Sequence, residues 1–330
     1  MALSALFIGG SGVISSACAH RAVAEGIELT VLNRGASARP APAGAHVLRA
    51  DVRDPGAMLA ALLGQRFDVV VDFVAFTAAH VRADVELFAG RVGQYVFISS
   101  ASAYSKPPGR LPVTESAPLR NPFWEYSREK IAGEDVLVRA YREHGFPATI
   151  VRPSHTYDAT KVPLPGGWTA VDRMRRGLGV VVPGDGTSLW TLTHHTDFAA
   201  GFVGLLGAPA AIGEAFHITS HEVLTWNQIY GQVADAAGAE PRLVHVPSDA
   251  VAAADADLGA SLLGDKAHSM VFDNAKIRGV VPGFTARVPF AQGAREIVSW
   301  YDADPARRVV DERLDRLFDA LVEAYRPRRL

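Results

Sequence analysis

The sequence predicts an α/β protein: a Rossmann-type, doubly wound parallel sheet with a smaller, mixed α/β C-terminal substrate lobe. Short aliphatic or β-branched runs alternate with helical patterns through the first half of the chain, and strands separated by helices imply a parallel sheet covered on both faces. A glycine-rich turn, Gly9-Gly-Ser-Gly12, stands between the first strand and the first helix. Runs such as Val69–Val71 are apolar throughout, as strands buried on both sides are.

In order, Ala2–Ile8 reads as a strand and Val13–Glu25 as a helix, followed by a strand at Glu28–Asn33. His46–Arg49 then pairs with the helix Pro55–Leu63, Asp68–Val74 with the helix Ala78–Arg91, and Gln94–Ser99 closes the run. A helix carrying Tyr126 and Lys130 extends to about Tyr141, and the strand Ala148–Arg152 is closed by Pro153. Beyond it the pattern loosens into Gly/Pro-rich loops, with helices around Thr169–Arg176, Thr196–Leu206 and Trp226–Ala237, then Gln292–Tyr301 and Asp304–Tyr325 with an arginine-rich, frayed end. Residues 1–160 are read as the NAD(P)-binding unit, with 190–222 returning to it, and 161–189 with 223–330 as the substrate lobe.

Composition narrows the partners. A net charge of −2 and a charged fraction of 21% offer no phosphate-backbone surface, so nucleic acid is not expected. The single Cys18 excludes an intrachain disulfide and a thiolate metal cluster, and fits a reducing, cytoplasmic setting. The apolar start, Met1 to Ala19, is interrupted by glycines and preceded by no basic residue, so it reads as strand and turn rather than signal peptide. No run approaches the roughly 18 residues of a membrane span. His194-His195 lacks a third ligand at ligand spacing, and no metal is expected.

The glycine turn is the nucleotide end. Gly9 and Gly10 permit a tight turn, Gly12 lets a pyrophosphate approach the backbone, and the helix N-terminus supplies oriented N–H groups. Ser15 takes the third small position. Where an acidic residue would grip the ribose of NAD stands Asn33-Arg34. Arg34, with Arg39 as a second cation, can pair with a 2′-phosphate, so NADP(H) is expected ahead of NAD(H). Asp51-Val52 sits where a loop covers the adenine; Asp51 equally suits the cap of the helix at Pro55.

Tyr126-Ser-Arg-Glu-Lys130 places a phenol and an ammonium on one helix face, one turn apart. Lys130 is expected to lower the Tyr126 pKa from about 10, which makes a general acid or base. Chance supplies this spacing in about one chain in eight of such composition, so its setting must carry the assignment. Only 5 of the 33 Lys and Arg residues are lysine, yet lysine stands at 130. A guanidinium there would neither deprotonate nor act as a compact point charge.

With the glycine loop, Asp51-Val52, Phe97-Ile-Ser-Ser-Ala-Ser-Ala-Tyr104, Tyr126-x-x-x-Lys130 and Val151-Arg-Pro153 in this order, the chain resembles the extended short-chain dehydrogenase/reductase family. More narrowly, it looks like the NAD(P)-dependent epimerase/dehydratase branch. The resemblance implies that Gly9, Gly10, Ser11, Gly12, Val13 and Ile14 hold the cofactor phosphates, with Pro153 and His155 near the nicotinamide. It implies that Ser100, four residues before Tyr104, hydrogen-bonds the reacting oxygen, with Ser102 as a second candidate. Tyr126 then exchanges the proton and Lys130 holds the nicotinamide ribose while hydride passes between substrate carbon and cofactor. Glu115 and Trp124 are expected at the entrance.

Departures from that branch shape the substrate. An arginine that grips a diphosphate is replaced by Trp190, and a second by the region of Lys266 and His268. Tryptophan cannot neutralise a diphosphate, so the expected substrate is a sugar-like or other polyhydroxylated small molecule without a nucleotide, contacted by Ser102, Trp124, His155 and Trp190. His155 suits an acid/base or a hydrogen-bonding role. The expected activity is an NAD(P)-dependent oxidoreductase or epimerase acting at a secondary alcohol or ketone. A dehydratase is less expected, because Ala101-Ser102 offers no carboxylate, and a simple NADPH ketoreductase is the alternative among enzymes. A non-enzymatic RNA binder, as in the similar chloroplast stem-loop-binding proteins, and a redox sensor are the competing classes. The resemblance also implies a homodimer through Ala78–Arg91 and Trp124–Tyr141.

Overall fold

The computed structural model describes residues 2–326; the arginine-rich end expected to fray lies, from residue 327, outside them. The first lobe runs β1 (Ser4–Ile8), α1 (Val13–Ala24), β2 (Glu28–Asn33), β3 (His46–Arg49), α2 (Pro55–Ala61), β4 (Val69–Asp72), α3 (Ala78–Phe88), β5 (Gln94–Ile98), α4 (Glu125–His144) and β6 (Ala148–Pro153). The chain continues through β7 (His155–Tyr157), α5 (Trp168–Arg175), β8 (Gly179–Pro183), β9 (Leu189–Trp190), β10 (Leu192–His194), α6 (His195–Val203), β11 (Ala215–Ile218), β12 (Leu224–Thr225) and α7 (Trp226–Ala237). It ends with β13 (Arg242–Val246), α8 (Ser248–Ala254), α9 (Ala256–Ser261), α10 (Ala275–Val280), α11 (Phe290–Asp302) and α12 (Glu312–Tyr325).

Seven parallel strands form the central sheet in the order β11-β6-β5-β4-β1-β2-β3. The order reverses between β1 and β4, and in open α/β sheets ligands bind outside the strand ends at such a switch point. Strands β4, β5 and β6 are buried along their whole length, as their apolar runs require when helices cover both faces. Met58, Val81, Phe88 and Leu137 from α2, α3 and α4 fill one side. Cys18, Ala19, Phe198 and Phe202 from α1 and α6 fill the other. Helices α3 and α4, on which the homodimer contact is expected, pack on each other within the chain.

The chain re-enters this lobe twice. β11 forms the sheet edge beside β6, and residues read from the sequence as substrate lobe, Ile277 of α10 and Phe284, lie in the core against α6. In the second lobe β8 pairs with β13 under α12, with Val181, Val244, Phe318 and Leu321 buried together. A larger core joins Trp168, Trp226, Tyr230, Phe290 and Ile297 from α5, α7 and α11.

One buried ion pair ties α4 to the sheet. Arg152 near the end of β6 donates from Nε to Glu134 Oε1 at 2.9 Å, and Glu134 also accepts from the Ser99 hydroxyl. Their side chains are 6% and 2% exposed. Removing one partner strands a charge, which costs about 3–5 kcal/mol. Glu134→Ala is therefore expected to lose that much unfolding free energy in urea titrations; a loss below about 1 kcal/mol, typical of exposed pairs, would contradict it.

Candidate active site

The glycine loop is built for close approach. Gly9 lies at φ 85°, and a Cβ there would meet Val74 Cγ1 at 2.5 Å. At Gly10 a Cβ would meet Val31 Cγ1 at 2.6 Å. Gly12 caps α1 and its N–H donates to Ser15 Oγ at 2.7 Å, so the serine in the third small position adds an acceptor to close packing. This cradle, opening a helix at the switch point, fits a dinucleotide pyrophosphate. Val13 and Ile14 begin α1, and Ile14 also lines the main cavity.

Beside the loop a hollow is lined by Gly9, Ser11, Asn33, Arg34 and Val52. Arg34 is exposed at its rim, and Asn33 Oδ1 accepts from the Gly35 N–H at 2.8 Å. Two expectations need correction here. Arg39 does not join Arg34: it pairs with Asp158 at 2.7 Å and donates to the Gly12 carbonyl at 3.4 Å. Asp51 is exposed and does not line the hollow; it accepts from the Arg53 N–H, while Asp54 caps α2.

The main cavity, about 370 Å³, opens at the C-terminal ends of β4, β5 and β6. Ser100, Ser102, Tyr126, Lys130, Pro153 and His155 all line it, as do Trp124 and Trp190. The turn after β5 holds the serines because Ser100 caps a short 3₁₀ turn, accepting from the Ser102 N–H. A chain of hydroxyls follows. Ser127 donates to Ser102 at 2.7 Å, Ser102 and Ser100 are 2.8 Å apart, and Ser100 and Tyr126 line the same cavity.

Lys130 is buried and donates to the carbonyls of Ala75 and Ile98, each at 2.7 Å. Burial lowers its pKa to about 8 against the opposing pull of Asp72 and Glu134. Lys130 does not lower the pKa of Tyr126, contrary to the sequence expectation. Its ammonium is turned to the two carbonyls, 5.7 Å from the Tyr126 ring centroid. Burial instead raises the phenol, with the Ser100 bond opposing. Behind Lys130, Asp72 accepts from the N–H groups of Val74 and Ala75, at 2.5 and 2.8 Å, and Tyr95 donates to Asp84 at 2.6 Å. Burial raises both carboxyls, so the pair retains a proton that separated carboxylates would lose.

His155 accepts from Trp190 Nε1 at 3.4 Å. Burial, with the charges of Lys266 and Lys161, drives its pKa well below the ordinary value. It is neutral at working pH, which favours a hydrogen-bonding role over acid catalysis. Trp190 stacks on Trp226 with centroids 5.5 Å apart. Glu115 is not at the entrance: it lies behind the site, 3.7 Å from the buried His217. Of the region replacing the second arginine, Lys266 lines the cavity and His268 does not. His194 bonds Thr196 and Glu296, at 2.7 and 3.1 Å. Asp197, in the first turn of α6, accepts from the N–H groups of Arg287 and Val288.

Sequence reasoning missed Lys161, Asp265, Met270 and Phe272, which also line the cavity. The one signal available was the rarity of lysine: three of five lysines, 130, 161 and 266, meet here.

Residues 5–90 and 86–219 match the NAD dependent epimerase/dehydratase family. The chain belongs to that family. It is 29% identical over 217 residues to a dTDP-glucose 4,6-dehydratase of an Actinoplanes species, covering 64% of this chain and 61% of that protein. It is 27% identical over 254 residues to chloroplast stem-loop binding protein of 41 kDa b from Arabidopsis thaliana, covering 73% and 65%. The chain thus spans less than two thirds of the length of these curated relatives. Among solved structures, dTDP-glucose 4,6-dehydratase from Bacillus anthracis in complex with NAD is similar at TM-score 0.74 and 18% identity, covering 92% of this chain and 98% of that one. UDP-glucose 4-epimerase from Bifidobacterium longum in complex with NAD+ and UDP is similar at TM-score 0.73 and 18% identity, covering 92% and 99%. At that identity the likeness is one of fold, and it extends past the family match into the second lobe.

The low pKa of Lys130 has a stability consequence. An amine depressed from about 10.4 when unfolded to about 8 when folded binds fewer protons in the native state, so stability rises with pH across that window. Lys130→Met abolishes this contribution. The stability of the variant relative to the unaltered protein is expected to fall by about 2 kcal/mol between pH 8 and 10, read from urea midpoints; a difference that stays constant would refute the assignment.

Proposed function

We propose that this protein is an NAD(P)-dependent oxidoreductase or epimerase that acts by hydride transfer at a secondary alcohol or ketone of a polyhydroxylated small molecule, with Tyr126 as general acid/base. The observation that carries the reading is the convergence of Tyr126, Ser100 and Lys130 on one cavity that also reaches Ile14 in the first turn of the glycine-loop helix. A bound nicotinamide dinucleotide supplies or accepts the hydride. Ser100 orients the reacting oxygen, and Tyr126, a phenol that burial raises further above its ordinary value, gives its proton to that oxygen in the reducing direction. The hydroxyl chain through Ser102 to Ser127 can support the phenol once it has ionised.

Elimination of water is less well supported. Among the described residues lining the cavity the one carboxylate is Asp265, and it is held between Lys106 at 3.4 Å and Lys266 at 3.8 Å. An epimerase and a net reductase share every feature above and differ in whether the cofactor leaves oxidised.

A second reading, a non-enzymatic RNA binder, is favoured by the Arabidopsis relative alone. The two separate cleanly. In a screen of sugars, sugar acids and their ketones, followed by nicotinamide absorbance and by NMR for redox-neutral isomerisation, Tyr126→Phe is expected to lower turnover by about 10²–10⁴-fold while cofactor binding persists. Salt-sensitive RNA binding without nicotinamide binding would install the second reading, and retained function in Tyr126→Phe would point to a sensor.

The finer reading, that NADP(H) is preferred, rests on Arg34, since Arg39 is taken by Asp158 and no carboxylate lines the hollow. Arg34→Ala is expected to weaken NADP(H) binding by about tenfold and to leave NAD(H) unchanged. Calorimetric affinity for NAD(H) equal to or tighter than that for NADP(H) in the unaltered protein would reject it.

A further inference from the structure

The cationic lining of the cavity has a pattern that neither the hydride chemistry nor the family match accounts for. Among the described residues no arginine lines the cavity, whereas three of the five lysines do. Lys130 is spent on the carbonyls of Ala75 and Ile98. The other two, Lys161 and Lys266, line the cavity together with the half-buried His155, and each lowers that ring's affinity for a proton.

Their charges are under-compensated. The Lys161 ammonium has no hydrogen bond or ion pair among the described residues. The nearest acid acting on it is Asp158, which is bound to Arg39 at 2.7 Å. Lys266 shares Asp265 with the buried Lys106, so one carboxylate serves two ammonium groups. His155 adds a neutral donor. With Nδ1 accepting from Trp190 at 3.4 Å, the ring carries its proton on Nε2. Two ammonium groups and one N–H at a cavity wall suit a single oxyanion, which lysine binds as a point charge.

Size argues the same way. A cavity of about 370 Å³ that includes Ile14 and Lys130 must also admit the nicotinamide end of the cofactor, leaving room for a sugar-sized group. Without an arginine fork, a nucleoside diphosphate would lose bidentate recognition.

We propose that Lys161 and Lys266, with His155, form an oxyanion subsite, and that the substrate is an acidic polyhydroxylated small molecule whose carboxylate or single phosphate is held there while its carbinol faces Tyr126 and Ser100. The proposal rests on the hydride-transfer reading for the position of the reacting carbon, but the subsite is testable without turnover. In protein saturated with reduced cofactor, the fluorescence of Trp124 and Trp190 is followed during titration with D-glucuronate, inorganic phosphate and D-glucose. Both anions are expected to bind at least about tenfold tighter than glucose, the strength of one charge-assisted hydrogen bond. Lys161→Met and Lys266→Met should each remove that preference, with cofactor affinity unchanged. Lys161→Arg and Lys266→Arg, which keep the charge, should retain it.

Glucuronate binding preferentially over phosphate identifies a carboxylate site, and the reverse a phosphate site. Glucose binding as tightly as both anions overturns the proposal. So does a loss confined to cofactor affinity in the methionine variants, which would assign these lysines to the dinucleotide's own phosphates. Absence of cofactor binding in the unaltered protein would defeat the hydride-transfer reading instead.

Discussion

The site depends on a buried ammonium. Lys130 is 1% exposed, and an ion taken out of water at that depth costs several kcal/mol unless it is repaid locally. Repayment comes from the sheet: charge-assisted bonds to the carbonyls of Ala75, beyond β4, and Ile98, the last residue of β5. The rings of Phe76 and Phe97 lie 4.8 and 4.9 Å from the ammonium, and Asp72 supplies the opposing charge. Both carbonyls lie at C-terminal strand ends next to the switch point, where the order of the strands leaves room for a ligand. By pinning α4 to those ends, Lys130 fixes where Tyr126 can be, one turn earlier on the same face.

Two buried polar clusters flank that ammonium and keep its charge tolerable. On one side Glu134 is satisfied by Arg152 and Ser99; on the other, burial raises the carboxyls of Asp72 and Asp84, with Tyr95 donating to Asp84. Had both aspartates ionised, the region behind Lys130 would carry an excess of negative charge. Had neither, the ammonium would lose its counter-charge. The phenol is treated differently. Burial, opposed by Ser100, raises the Tyr126 phenol, so its resting state is the acid.

Local rules made much of this legible. β1 to β6 and their helices follow from apolar runs and helical periodicity, and Gly9 and Gly10 from the tight turn between β1 and α1. Ser100, Tyr126 and Lys130 follow from spacing and order along the chain. What was not legible depends on partners distant in sequence. Arg39 reads as a free cation until Asp158 is folded against it. The raised pKa of Tyr126 reflects burial, which no spacing encodes. Phe284 looks like a loop residue among prolines, yet it fills the space above Gly201, where a Cβ would come within 3.0 Å of its ring.

One short piece of irregular helix carries Asp265 and Lys266 to the cavity. Residues Leu262–Lys266 form a π-turn after α9, a geometry that often marks functional positions. Asn121 holds it: its side-chain amide donates to the Gly264 carbonyl at 2.6 Å and to the Ser102 carbonyl at 2.9 Å. Only a residue without a side chain fits at 264, since a Cβ would meet Trp124 Cβ at 2.7 Å. The clamp therefore fixes Asp265 and Lys266 relative to the serine turn that carries Ser100. Lys266 and the serine turn are thereby mounted on a common support, although one comes from the irregular lobe and the other from the sheet. Changes that retune the substrate are free to occur on the turn, provided Gly264 and Asn121 keep it seated.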